Sequence, residues 1–224
     1  MPIANWFASG GVVMYPLLGF SMLAMALILE RLTFWIKIAR RQEHLVRDIL
    51  ALYRRSPQSA FIKLEQNTDL PIARIFLAAL ELDRPTPEEF RLALESAAQA
   101  EIPLLKRFNT VFETMIGLSP LLGLLGTVLG LIQSFAALKI GDLGGGKTLN
   151  VSAGVSQALI STAAGLIVAI FTLLFANTFR GLYLRQIALI QEYGGQIELL
   201  YRRYYEQREN ERREDKDPEL NKVG

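Results

Sequence analysis

Three stretches of this chain carry no Asp, Glu, Lys or Arg. They run from Met1 to Leu29, Thr114 to Leu138 and Thr148 to Phe179, which is 29, 25 and 32 residues. The continuous apolar part of the first is Val12 to Leu29, and the third is most apolar from Ala158 to Phe175. A helix rises about 1.5 Å per residue, so about 20 residues cross a hydrocarbon core about 30 Å thick. Buried helices of soluble proteins are shorter and keep a polar face. Three charge-free runs in one chain of 224 residues therefore predict three membrane spans. Leu32, Phe34, Trp35 and Ile36 prolong the first past Glu30-Arg31, with aromatics suited to an interfacial belt. That run has no basic leader and no clear small-residue cleavage site, so it is read as a retained span rather than a signal peptide.

Composition removes several chemistries. The chain is 51% apolar and has no cysteine, which excludes disulfide scaffolds, thiol catalysis and iron–sulfur sites. His44 is the single histidine, so a multi-histidine metal site is excluded. No metal, cofactor or enzymatic activity is expected. The formal charge is only +2, but its distribution is uneven. Residues 39–113 hold eleven Lys and Arg and residues 180–224 hold nine, against none in 1–13 and two in 139–150. Basic residues mark the cytoplasmic side of a membrane protein. The N-terminus and the 139–150 loop are expected outside, and the two charged regions inside. The tail balances its nine basic residues with nine acidic ones, so it is a solvated helical face rather than a nucleic-acid arm.

The charged regions read as helices. Ser56-Pro57 is an N-cap followed by proline, and Thr86-Pro87-Glu88-Glu89 is a capping box. Phe90, Leu94, Ala97 and Ala98 continue that helix towards the second span, with Pro103 as an expected kink. Leu182, Ile187, Ile190, Ile197, Leu200 and Tyr204 carry the third span onward, with Gly194-Gly195 as the expected weak point and the end from Asp217-Pro218 expected to be disordered. Trp6 and Phe7 suit a short amphipathic segment on the outer surface.

Gly141 to Thr148 fits the P-loop expression literally. A P-loop joins a strand to a helix and needs a metal-binding acid, whereas this run follows a membrane span on the outer side. It is read as a glycine-rich hairpin, and no ATP binding is expected.

The second and third spans share an unusual surface. Gly126 and Gly130 form a GxxxG pair, and Ser119, Gly123, Thr127, Gly130 and Ser134 fall on one face. Gln157, Ala158, Ser161, Thr162, Gly165, Ala169, Thr172 and Ala176 make a matching stripe. Small residues let membrane helices approach closely, since lipid supplies no hydrophobic drive for association. The polar members need partners. Either each hydroxyl bonds to its own backbone and the stripe only packs, or it lines a polar path. No titratable group lies in either span, so any proton carried here needs a carboxylate from elsewhere.

Ser119-Pro-Leu-Leu-Gly-Leu-Leu-Gly-Thr127-Val-Leu-Gly130 resembles the second-span signature of the MotA/TolQ/ExbB proton-channel family. Gln157-Ala-Leu-Ile-Ser-Thr162-Ala-Ala-Gly165-Leu is similar to its third-span signature, and Glu30-Arg31-Leu32 to its exit from the first span. Three spans rather than four place the resemblance on the ExbB/TolQ branch, nearest ExbB. The resemblance implies an all-α polytopic protein of the bacterial inner membrane. Its parts would be a periplasmic segment 1–11, transmembrane helices 12–38, 114–138 and 151–179, and a periplasmic loop 139–150. A helical cytoplasmic region 39–113 and tail 180–224 would complete it. It further implies a homopentamer holding an ExbD/TolR-type single-span partner that supplies an Asp, and work delivered to a TonB- or TolA-type transducer. TonB-dependent transport across the outer membrane is the implied role, with the Tol system or a non-conducting scaffold as alternatives. Thr127, Gln157, Ser161 and Thr162 would line the ion path, while Gly123, Gly126, Gly130 and Gly165 pack the helices. Many ExbB proteins carry Glu where this chain has Gln157, so here that position would be a neutral hydrogen-bonding group.

Overall fold

The computed structural model describes residues 10–138 and 147–216. The expected Trp6-Phe7 segment, the hairpin residues Gly141–Gly146 and the end from Asp217 lie outside the described residues, as do the side chains of Lys147 and Thr148. Among the described residues there are six helices and no strand. They are α1 (Met14–Tyr53), α2 (Pro57–Glu65), α3 (Pro71–Leu80), α4 (Pro87–Leu105), α5 (Asn109–Leu138) and α6 (Lys147–Lys216). Three stretches of helix are long and apolar enough to cross a membrane. The protein is an all-α polytopic membrane protein.

The chain divides into two units, residues 1–33 with 107–181 and residues 34–106 with 182–224. In the first unit Val13, Met14 and Leu17 of α1 form a small core with Leu122 and Ala164 packed against it. Phe112 and Phe179 meet at 6.0 Å between ring centroids. The outward faces are apolar: Leu121, Leu124 and Ile132 of α5 and Leu159, Ile167 and Ile170 of α6 are all exposed. This is the reverse of a water-soluble surface, and suits a bilayer or a neighbouring helix.

The second unit has an ordinary buried core. Its centre is α3, in which Pro71, Ile72, Ala73, Ile75, Phe76, Leu77 and Ala79 are all buried. That helix packs against α2 and α4, and Ile49 of α1, Leu64 of α2, Phe90 of α4 and Ile197 of α6 are buried in the same unit. Arg74 of α3 reaches Glu101 of α4 twice, at 2.7 and 2.5 Å, and Thr68 O at 2.6 Å. The Glu101 carboxylate holds the Arg74 guanidinium above its usual range. Gln42 and Gln186 exchange two side-chain hydrogen bonds, 3.3 and 2.6 Å, while buried. The capping box is present: the Glu89 amide donates to Thr86 Oγ1 at 3.3 Å, and the Thr86 amide donates to Glu89 Oε2 at 2.7 Å. Ser56 caps α2, accepting from the Ser59 amide at 3.4 Å.

Two local expectations are corrected. Gly194-Gly195 does not interrupt α6, which runs unbroken through it. Ile190, Ile197 and Tyr201 are buried on either side of the pair, and that packing overrides the roughly 1 kcal/mol per glycine of propensity. Pro103 does not merely kink a continuous helix. The helix ends at Leu105, Phe108 takes a left-handed φ of 67°, and α5 starts at Asn109. The missing proline N–H weakens the last turn, Lys106 caps it, and the left-handed Phe108 turns the chain into α5.

Candidate functional site

The second and third apolar helices meet along a glycine seam. As α5 advances from Ser119 to Ser134, its partners on α6 recede from Gly165 to Gly154, so the helices are antiparallel. A Cβ on Gly123 would lie 3.0 Å from Ser161 O and 3.0 Å from Thr162 Cα; one on Gly130 would lie 2.8 Å from Gly154 O and 3.1 Å from Ala158 Cβ. On Gly126 it would strike the Ser161 hydroxyl, and on Gly165 the Ser119 carbonyl. The two backbones therefore touch, which only glycine at these four positions permits. Gly154 belongs to the same seam, because its Cβ would strike the Ser134 hydroxyl.

This contact decides where each hydroxyl goes. Ser119 donates to Met115 O (2.7 Å), Ser134 to Gly130 O (2.9 Å), Ser161 to Ala158 O (2.8 Å) and Thr172 to Val168 O (2.7 Å). These four are buried. Ser161 is fully enclosed between α5 and α6, so within one chain it faces the seam and not an open wall. Thr127 is half-buried and donates to Leu124 O at 2.6 Å. Two hydroxyls also cross to α5 and donate to the same carbonyl, Gly123 O: Thr162 at 3.0 Å and, more weakly, Ser161 at 3.5 Å. In a regular helix that same carbonyl accepts the amide of Thr127. The two threonines thus converge on one oxygen, Thr127 through its backbone and Thr162 through its side chain.

Gln157 stands apart from them. Its amide nitrogen occupies the place where a side chain on Gly11 would start, and Gln157 Cδ is 3.0 Å from that point. Gly11 has a φ of +73°, so both space and backbone demand glycine there. Gln157 therefore lies flat on the turn before α1 and holds the start of α1 against α6. Sequence reasoning missed this contact. Its only trace is the Gly10-Gly11 pair just before the apolar run.

Glu30, Arg31, Arg107 and Phe108 gather elsewhere in the same unit. Arg31 pairs with Glu30 at 3.4 Å and Arg107 with Glu30 at 3.8 Å. The guanidinium groups of Arg31 and Arg107 lie over the Phe108 ring at 5.6 and 4.6 Å. The left-handed Phe108 brings its ring within reach of both, a contact not visible in the sequence. Among the described residues, no cluster of His, Cys, Asp or Glu has the makings of a metal site.

Residues 67–192 match the model of the MotA/TolQ/ExbB proton channel family. The chain belongs to this family. It is 62% identical over 201 residues to a protein named biopolymer transport protein ExbB-like 3 from Synechocystis sp., covering 90% of this chain and 96% of that one. It is 42% identical over 199 residues to ExbB-like 1 of the same organism, covering 88% and 78%. Similarity to the Tol-Pal system protein TolQ of Haemophilus influenzae is 38% over 109 residues, covering 47% and 44%. The relatives place this family member on the ExbB/TolQ side, among biopolymer transport proteins. The matched region contains the whole glycine seam, with both threonines and Gln157.

Proposed function

We propose that the chain is the ExbB-type subunit of a proton-driven motor in the inner membrane. In this reading it forms a homopentamer around ExbD/TolR-type single-span partners. It passes work to a TonB-type transducer, or a TolA-type one in the Tol variant of the same role. The N-terminus faces the periplasm, and the unit formed by residues 34–106 and 182–224 faces the cytoplasm.

One observation carries the mechanism. The membrane-spanning parts of α5 and α6, residues 114–138 and 148–179, offer hydroxyls and amides but, by sequence, no ionisable group. A proton therefore needs an acid on another chain, and the partner's Asp supplies it. Thr127 and Thr162 are half-buried and form the wall on this side, and half-buried Gln157 extends it separately, against Gly11. Ser161 lies behind them and keeps the seam closed. The Gly123 carbonyl, held by Thr162, fixes the rotation of both helices about the path. Neutral groups of this kind orient water and tune the pKa of a borrowed carboxylate without titrating themselves. One proton crossing 100 mV yields about 2.3 kcal/mol, so a working stroke takes several protons and several subunits.

A packing-only scaffold is the second reading. It is favoured by the four enclosed hydroxyls, each of which donates to a carbonyl of its own helix, with Ser161 reaching Gly123 O as well at 3.5 Å. Reconstitution into vesicles with a pH-sensitive dye inside separates the two. The motor reading expects proton entry only when the single-span partner is present, and its loss in Thr162→Val with assembly intact. Conduction by this subunit alone, or a Thr162→Val variant that assembles and conducts normally, would refute it.

A further inference from the structure

The unit formed by residues 34–106 and 182–224 contains a cavity of about 280 Å³ that the ion path does not use. Tyr53, Tyr201, Tyr204 and Tyr205 contribute to its wall. Tyr201 is fixed in place, stacked on Phe90 with centroids 4.1 Å apart and planes 3° from parallel, and its hydroxyl donates to Pro85 O. Burial pushes the Tyr53 phenol upward, so it stays a neutral donor at physiological pH.

The charge of the rim is one-sided. Arg84, Arg208 and Arg212 line it against a single acid, Glu209. Glu209 is 3.8 Å from Arg212. Among the described residues no carboxylate is within salt-bridge reach of Arg84 or Arg208. Arg208 instead lies over the Tyr204 ring at 5.7 Å. Arg84 holds a left-handed φ of 52° directly before Pro85, a conformation disfavoured both by its own Cβ and by the proline. Strain of this kind in a cavity rim is a mark of function.

From this arrangement we infer a binding site for a soluble aromatic phosphate of mononucleotide size. Its ring lies against the tyrosine wall and its phosphate meets Arg84 and Arg208. Guanidinium groups present paired donors to phosphate, and flat rings stack on tyrosine. The volume, about 280 Å³, lies just below the usual range of ligand cavities and suits a small ligand. A lipid headgroup is out of reach, because Tyr201 is 19 residues beyond Leu182 on α6, about 28 Å of helix rise. Access to cellular nucleotides rests on the cytoplasmic placement proposed above; binding by the solubilised protein does not, so the two can fail separately.

The test is calorimetric titration of the full-length, detergent-solubilised complex with AMP, GMP and CMP, and with inorganic phosphate and adenosine as separate arms. Saturable binding of at least one mononucleotide is expected, at least about tenfold tighter than phosphate or adenosine alone. Arg84→Ala and Arg208→Ala should each weaken it about tenfold, the scale of one charge-assisted hydrogen bond. Arg91→Ala, outside the cavity, serves as the control and should bind normally. No saturable binding by any mononucleotide at millimolar concentration would overturn the inference. So would phosphate binding as tightly as the nucleotides, or Arg84→Ala and Arg208→Ala variants that remain folded and bind unchanged.

Discussion

Replacing Gly123 by Ala tests whether the helix seam is a true backbone contact. The new Cβ would lie 3.0 Å from Ser161 O, 3.0 Å from Thr162 Cα and 3.3 Å from Thr162 O. Ordinary carbon contacts lie at about 3.5–4.0 Å, so the helices must part by about 0.5–1 Å. All three atoms met are backbone, and no side chain can swing away to relieve them. The same opening stretches the Thr162 hydroxyl bond to Gly123 O from 3.0 Å to the edge of hydrogen-bonding distance. Overpacking costs about 1–3 kcal/mol and the lost interhelical bond about 0.6 kcal/mol more. Helix propensity returns about 1 kcal/mol for Gly→Ala, which blurs the result for one variant alone. Gly117, on the same helix, has nothing within 4 Å of its Cβ position and so gains propensity without a clash. The difference between Gly123→Ala and Gly117→Ala should therefore be about 1.5–3.5 kcal/mol. Unfolding in mixed micelles of rising SDS fraction, followed by helical circular dichroism, measures it. Equal midpoints for the two variants would refute the contact.

Three further outcomes follow from the same geometry. Thr162→Val should lower stability by only about 0.6–1.7 kcal/mol, the loss of one interhelical bond in a membrane, while proton entry into vesicles falls sharply. Gly11→Ala combines a positive φ with a Cβ placed on the Gln157 amide, so a loss of about 1–3 kcal/mol is expected, read in the same micelle assay. Asp69 accepts Lys37 at 2.9 Å and Arg41 at 2.5 Å, which holds its carboxyl below the usual range. A depressed folded value stabilises above the unfolded value of about 3.9 and loses that stability as pH falls through the folded one. Wild-type stability should decline below about pH 4, and Asp69→Asn should be weaker at pH 7 by about 0.2–1 kcal/mol yet flatter in acid, as thermal midpoints between pH 7 and pH 3 would show.

Local physics made much of the molecule legible. The charge-free runs announced the helices because bilayer thickness imposes a length, and small residues at three- and four-residue spacing announced the seam because only close backbones need them. Thr86 and Glu89 announced a helix start because capping is settled within four residues. The central helix α3 was harder to see. It spans only ten residues, too few turns for its apolar face to be told from any other short apolar run. Gly194-Gly195 misled for the opposite reason, since propensity is a local quantity and the buried Ile190 and Ile197 are not.

By itself, then, the sequence determined which segments are helical and apolar, which residues are small or polar, and that no acid lies within the second and third spans. Those properties belong to single residues and their near neighbours. Tertiary structure alone decided that Thr162 reaches Gly123 while Ser161 is sealed behind it, that Gln157 rests on Gly11, and that four tyrosines and three arginines share one cavity. Each of those facts joins positions tens to more than a hundred residues apart, and only the packing of helices against one another sets the rotation that brings such side chains together.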